Sequence, residues 1–306
     1  MRSLTLCLGP HRVEMLDLME AEMRRHKTVI LEEPAHPEFY QLLAGKSSLR
    51  RYIASGAFEF PRFTLRAYCR YRELHEKERI AFFQVDPYVA AVQRFATGRL
   101  PTTDTEEMIW ECEHGAVQAL LSYYEAVANN NFDAMVKTTA AFARADARRF
   151  RLREKLRAAA IVGILAQTEG DVYVEAGYIH LYLYPLLKRL VPPGVRPRIR
   201  FLLQDPIQKR TNLPWRQHLS PGDVLTLRYI NGGASRPSDT LLAAQSLIYV
   251  SLLSKEEKLP TATDTFPHLS EELYLCRWVR RLSYADCSEF YRQLRSRTAR
   301  HQNHIS

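Results

Sequence analysis

The sequence has no apolar stretch approaching the length of a bilayer span, and its first residues lack the basic, apolar and small-residue order of a secretory signal. A membrane-spanning protein is therefore not expected, and a cytoplasmic location is. Cysteine is sparse and unpatterned: Cys7, Cys69, Cys112, Cys276 and Cys287 are odd in number and widely spaced, with no CxxC pair. That excludes a disulfide framework and a thiolate zinc site and predicts reduced thiols. There is no RNP, zinc-finger or helix-turn-helix signature, no HExxH, no low-complexity segment, and no repeat beyond two short units described below.

What is present is ordinary globular composition, 46% hydrophobic and 25% charged over 306 residues, enough for one large core or two smaller ones. The net charge of +9 is partly local. Arg144, Arg148, Arg149, Arg151, Arg153 and Arg157 fall on one predicted helix, and Arg277, Arg280, Arg281, Arg292, Arg295, Arg297 and Arg300 crowd the C-terminal end. Such clusters neutralise phosphates, so nucleic-acid binding is one alternative function. Without a matching signature they read first as a solvated helical face and a basic tail.

Apolar runs give the organisation. Leu4 to Leu8 reads as a strand, followed by Gly9-Pro10-His11 and a helix over Val13 to Arg25. Thr28 to Leu31 is a second strand, ending in Glu32-Glu33-Pro34, and Arg79 to Val85 a third, ending in Asp86-Pro87. Helices separate them, at Pro37 to Leu43 and Pro61 to Lys77. Strands joined by helix-length connections imply a parallel sheet. From Thr105 to about Thr168 the pattern is helical throughout, with three helices expected and hinges at Pro101 and at Asn129 to Asn131. The sheet resumes at Asp171 to Ala176, then Gly177-Tyr178-Ile179-His180 and a helix through Leu190. Further strands are predicted at Arg198 to Leu203 and Val224 to Ile230, and helices at Asp239 to Leu253, Leu269 to Leu282 and Tyr284 to about Arg297. Residues 207–223 carry no assignable pattern. The predicted fold is α/β: a parallel-rich central sheet flanked by helices, with a helical insertion in the middle and a mixed α/β C-terminal extension. The expected divisions are 1–100, a first α/β half carrying His11, Glu32 and Asp86; 101–168, the insertion; and 169–306, a second half carrying His180.

In a parallel sheet all carboxyl ends lie on one edge, where α/β proteins place their ligands. His11, Glu32 or Glu33, Asp86 and His180 all follow strands and so converge, although each alone would pass as a cap or loop residue. Two imidazoles with carboxylates suit a divalent metal such as manganese, cobalt or zinc, held by His11, Glu32, Asp86 and His180. The same groups without metal could act as a general acid and base on an ester or amide. Glu175, within a strand, is equally a structural acid or a ligand.

The segments TLCLGPHRVEMLDLMEAEM, TVILEEPAHPEFYQLLAG, ERIAFFQVDPY, RLREKLRAAAI and VYVEAGYIHLYLYPLLKRL resemble, in order and spacing, the superfamily that unites ChaN-like haem-binding proteins, the TraB and Tiki proteins, and erythromycin esterases. The resemblance covers about residues 3 to 190. It implies a glycine-histidine strand end, a glutamate after the second strand, an aspartate or asparagine after the third, a helical arginine and a late Gly-x-x-His, matched in position by His11, Glu32, Asp86, Arg153 and His180. Gly9-Pro10-His11 is one residue shorter than the superfamily's first motif and lacks its glutamate, whereas Gly177 to His180 fits the second.

Together these point to a hydrolase of ester or peptide bonds, possible metal dependence included, with His11, Glu32, His180 and Arg153 as catalytic residues and Arg153 facing a substrate carboxylate or a developing oxyanion. The alternative is a non-catalytic protein of the same fold that binds a small ligand or haem, for which Tyr68, Tyr71, Tyr178, Tyr182 and Tyr184 are candidate ligands. A small-molecule or peptide substrate and a homodimer formed through the helical insertion are the expected partners; a membrane is not.

Overall fold

Three apolar runs become the buried middle of a sheet. A computed structural model of the protein describes residues 2–55 and 60–302. In it β1 (Arg2–Leu8) and β2 (Thr28–Leu31) are separated by α1 (Leu16–Met23). Helices α2 (Phe39–Leu43), α3 (Leu49–Ser55) and α4 (Pro61–Glu78) precede β3 (Ala81–Gln84). Next come α5 (Pro87–Ala96), α6 (Asp104–Ala128) and α7 (Phe132–Leu165), then β4 (Val172–Ala176), α8 (Leu183–Leu190) and β5 (Val195–Phe201). The rest is helical: α9 (Gln204–Thr211), α10 (Pro221–Ile230), α11 (Pro237–Leu252), α12 (Pro267–Val279) and α13 (Tyr284–Gln302). The side chains of Arg297 and Arg300 lie outside the described residues.

All sheet pairings are parallel and the strand order is β3-β2-β4-β1-β5, so the α/β fold with a parallel central sheet flanked by helices is as the sequence predicts. The central strands β1, β2 and β4 are almost wholly buried, which is why they read as continuous apolar runs. The edge strand β5 alternates half-buried with exposed arginines and tolerates Pro197. One face is covered by Ala158, Ile161 and Leu165 of α7 and by Leu183, Leu186 and Leu187 of α8, packed on Leu4, Leu6, Leu8, Val172 and Val174. The helical spacing of those α8 leucines buries all three, worth roughly 1.5–3 kcal/mol each. By strand alternation, Thr5, Cys7, Tyr173 and Glu175 face the other way.

Register fixes the edge. Leu8 pairs with Ala176, Ile30 with Val174 and Leu31 with Gln84, so the carboxyl ends finish level. The residues that follow, His11, Glu32, Glu33, Asp86 and Gly177 to His180, gather there because the topology leaves them no other place.

The chain divides into two compact units: Met1–Ile109 with Arg151–Gln217 and Glu256–His268, and Trp110–Phe150 with His218–Lys255 and Leu269–Ser306. The second is helical where it is described. Three expectations are corrected. Residues 224–230 are helix, not strand: Ser220 and Asp223 form a capping box with Pro221 in the first turn, and this local start outweighs the β-prone Val-Leu-Thr-Leu run. Residues 132–165 form one unbroken helix where the sequence suggests two. The strand predicted at Arg198 to Leu203 begins earlier, at Val195. The cysteines are all free, with Cys7 buried in β1.

Candidate functional site

Glu32 leaves β2 buried and meets three cations. Its Oε1 lies 2.8 Å from Arg153 Nη2 and 2.7 Å from His180 Nε2; its Oε2 accepts the Gly177 N–H at 2.6 Å and lies 3.7 Å from Arg157 Nη1. Burial alone would raise its pKa, but His180, Arg157 and Arg153 hold the carboxyl well below the usual range. His180 presents its other nitrogen, Nδ1, to Glu154. Burial works against its charge, yet the two glutamates raise its pKa. Arg153 also reaches Asp86, its Nε donating to Oδ2 at 2.8 Å, while Asp86 Oδ1 caps α5 by accepting the Val89 N–H at 3.0 Å. Arg157 is fully buried and donates to the carbonyls of Val85 and Glu175, tying the ends of β3 and β4 together.

A second group of residues lines open space. A cavity of about 320 Å³ at the same edge has His11, Glu33, Tyr52, Phe63, Gln84 and Arg153 on its wall. His11 Nε2 lies 3.3 Å from Glu175 Oε1, and the hydroxyl of Tyr71 bonds the same glutamate. The imidazole remains 29% exposed, against 5% for that of His180. Burial works to lower the His11 pKa, but Glu175, with Glu32 and Glu33 nearby, raises it to about 9. Among the described residues Glu33 is bonded by neutral donors, the Tyr68 hydroxyl and Gln84 Nε2 at 2.8 Å. Burial, joined by the charge of Glu175 and opposed by these bonds and by His11, pushes its pKa up to about 7. Gln84 is aimed by the His36 N–H, which donates to its Oε1 at 2.8 Å.

The structure thus brings His11, Glu32, Asp86, Arg153 and His180 to one edge, but only His11, Glu32 and Arg153 reach the cavity wall. His180 and Asp86 lie in the ion-pair lattice beneath it. Arg153 and Arg157 turn inward rather than onto the solvated arginine face that the sequence suggests. Glu154 and Arg157 escape a reading of the sequence because their helix is crowded with arginine. Their signal is periodic: Glu154, Arg157, Ala158, Ile161 and Leu165 fall on one buried stripe. Glu175, open in the sequence, is a buried acid facing His11.

A divalent cation would need carboxylate and imidazole donors free to turn toward it. The oxygens of Glu32 and Asp86 are committed to guanidinium, imidazole and amide donors, and both His180 nitrogens face carboxylates. Among the described residues no group of three or more His, Cys, Asp or Glu is arranged to hold a metal. Of the expected metal set, Glu32, Asp86 and His180 are paired within an arginine-centred lattice, and His11 faces Glu175. Tyr68 and Tyr71 are buried with their hydroxyls on Glu33 and Glu175, already occupied as hydrogen-bonding groups.

No family model matches the chain, and no solved structure matches it. A protein of Archaeoglobus fulgidus, described only as uncharacterized, is 29% identical over 283 residues, a span of 92% of this chain and 95% of its own length. The likeness therefore runs through both compact units.

Proposed function

We propose that the cavity at the carboxyl edge of the sheet is the active site of a metal-independent hydrolase that cleaves an ester or amide, in a divergent member of the ChaN-like, TraB-Tiki and erythromycin esterase superfamily. The observation that carries this reading is the pair His11 and Glu33 on one cavity wall, held in environments that give them opposite proton states near neutrality. Between pH 7 and 9 Glu33 is a carboxylate and His11 an imidazolium. Glu33 takes a proton from water, whose oxygen attacks the acyl carbon. His11 faces the developing oxyanion, and then passes its proton to the departing oxygen or nitrogen as that bond breaks. Glu175 holds the imidazolium in place.

In this reading Glu32, Arg153, His180, Glu154 and Arg157 are positioning residues. Their mutual pairing fixes the strand ends, and the loops carrying His11 and Glu33 are built on them. Hydrolysis of a 4-nitrophenyl ester by the purified protein in excess EDTA, followed by release of 4-nitrophenolate, tests it. His11→Gln is expected to lower kcat by a factor of about 10² or more. Full activity in that variant, or strict dependence on added metal, overturns it.

A further inference from the structure

The charge balance of the cavity bears on what enters it. Four cations at this edge, His11, Arg153, Arg157 and His180, face four carboxylates, Glu32, Asp86, Glu154 and Glu175, in direct pairs. Arg153, the residue placed to meet a substrate carboxylate, is spent on two acids. His36 also lines the cavity, its Nδ1 accepting the Glu38 N–H at 3.2 Å. Among the described residues Glu33 is bonded by Tyr68 and Gln84 and by no cation. An anionic substrate would therefore find no unmatched positive charge and one unmatched negative one. A cationic substrate would pair with Glu33 and quench the group that must take the proton.

Shape and lining restrict the occupant further. The cavity of about 320 Å³ is at the low end of the ~300–1,000 Å³ common for small-molecule sites. Its apolar surface comes from Phe60, Phe63, Tyr52 and Val89, with the Phe63 ring 5.5 Å from that of His11. A flat or short branched group can lie on these rings while its carbonyl meets His11.

Resting on the hydrolase reading, we infer that the cavity accepts a small uncharged ester or amide, its apolar group against Phe60, Phe63 and Tyr52, and discriminates against acyl groups of either charge. Four 4-nitrophenyl esters separate the possibilities: the butanoate and the 5,5-dimethylhexanoate, both uncharged, the anionic 4-sulfobutanoate and the cationic 4-(trimethylammonio)butanoate, whose charged groups are too weakly nucleophilic to expel 4-nitrophenolate by ring closure. With the full-length protein at pH 8, kcat/KM for each uncharged ester is expected to exceed that for each charged one by at least about tenfold, roughly 1.4 kcal/mol. Phe63→Ala should raise KM for the butanoate with the pH profile unchanged. Hydrolysis of the charged esters as fast as the uncharged ones overturns the inference and leaves the hydrolase reading standing. Hydrolysis of none of the four overturns both.

Discussion

Glu33→Gln should make the protein more stable, by a margin that grows as pH rises from about 4.5 to about 7. The Glu33 carboxyl, ordinarily near 4.5, is pushed to about 7, because burial disfavours its charge and Glu175 repels it. The folded state therefore binds this proton more tightly than the unfolded chain, and stability falls as pH rises between the two values. Below 4.5 there is no penalty; above 7 it is complete. At 1.36 kcal/mol for each pKa unit, a rise from 4.5 to about 7 amounts to about 3 kcal/mol. The substituted amide keeps an oxygen for Tyr68 and Gln84 and carries no charge, so it removes the penalty without opening a cavity. His11 also weakens the fold with rising pH, because its raised pKa contributes stability that is present below 6.5 and lost through about 9. Both proteins carry His11, so most of that loss cancels in the comparison. Urea unfolding of wild type and Glu33→Gln at pH 4.5 and pH 8 measures the difference. It is expected to be small at pH 4.5 and to reach about 2–3 kcal/mol in favour of the variant at pH 8. A difference that does not change with pH refutes the assignment of a shifted carboxyl to Glu33.

The same two groups predict a bell-shaped kcat/KM profile, rising through about 7 as Glu33 ionises and falling through about 9 as His11 loses its proton. A profile flat from pH 6 to 10 removes both from the chemistry. Arg157→Leu deletes a fully buried guanidinium that serves two carbonyls and Glu32; the expected loss, read by urea unfolding, is about 3–5 kcal/mol, and one under about 1 kcal/mol refutes the lattice as a structural element. Exhaustive chelation is expected to leave activity on the butanoate ester unchanged, because Glu32, Asp86 and His180 are already paired with Arg153 and with one another; a tenfold loss restored by manganese, cobalt or zinc refutes that.

How much of this was legible in the sequence follows from the range of the forces involved. Buried parallel strands must be apolar on both faces, so β1, β2 and β4 show as short runs, and β2 falls where the run places it. A parallel sheet aligns its carboxyl ends, so the approach of His11, Glu32, Asp86 and His180 to one edge follows from strand order alone. Which of them face open space does not follow, because it depends on loops and on side chains from distant helices. Tyr68 and Gln84, which set the proton state of Glu33, lie 35 and 51 residues from it and meet it only through the packing of α4 and β3. Arg157 looks like one more member of an arginine-rich helix until its stripe of Ala158, Ile161 and Leu165 is aligned with the sheet. The helix at 221–230 was hidden for a different reason: a two-residue capping box decides a segment whose side chains favour a strand.

The strength of a motif and the reactivity of its residues are separate quantities in this site. Gly177 to His180 is the more complete of the two glycine-histidine units, and packing explains why. A Cβ on Gly177 would stand 3.1 Å from His180 Cδ2, while the Gly177 N–H donates to Glu32. The glycine is needed so that the imidazole can fold back between Glu32 and Glu154, where both nitrogens are used and substrate has no access. Gly9 is constrained as well, its Cβ position lying 3.1 Å from Met15 Cε and 3.2 Å from Leu202 Cδ1, but the histidine that follows is not. His11 leaves the short Gly9-Pro10 turn half-exposed, held by one carboxylate instead of two, with its ring on the cavity wall. The shortened unit therefore delivers the histidine that lines the cavity, and the intact unit the one paired with two carboxylates beneath it.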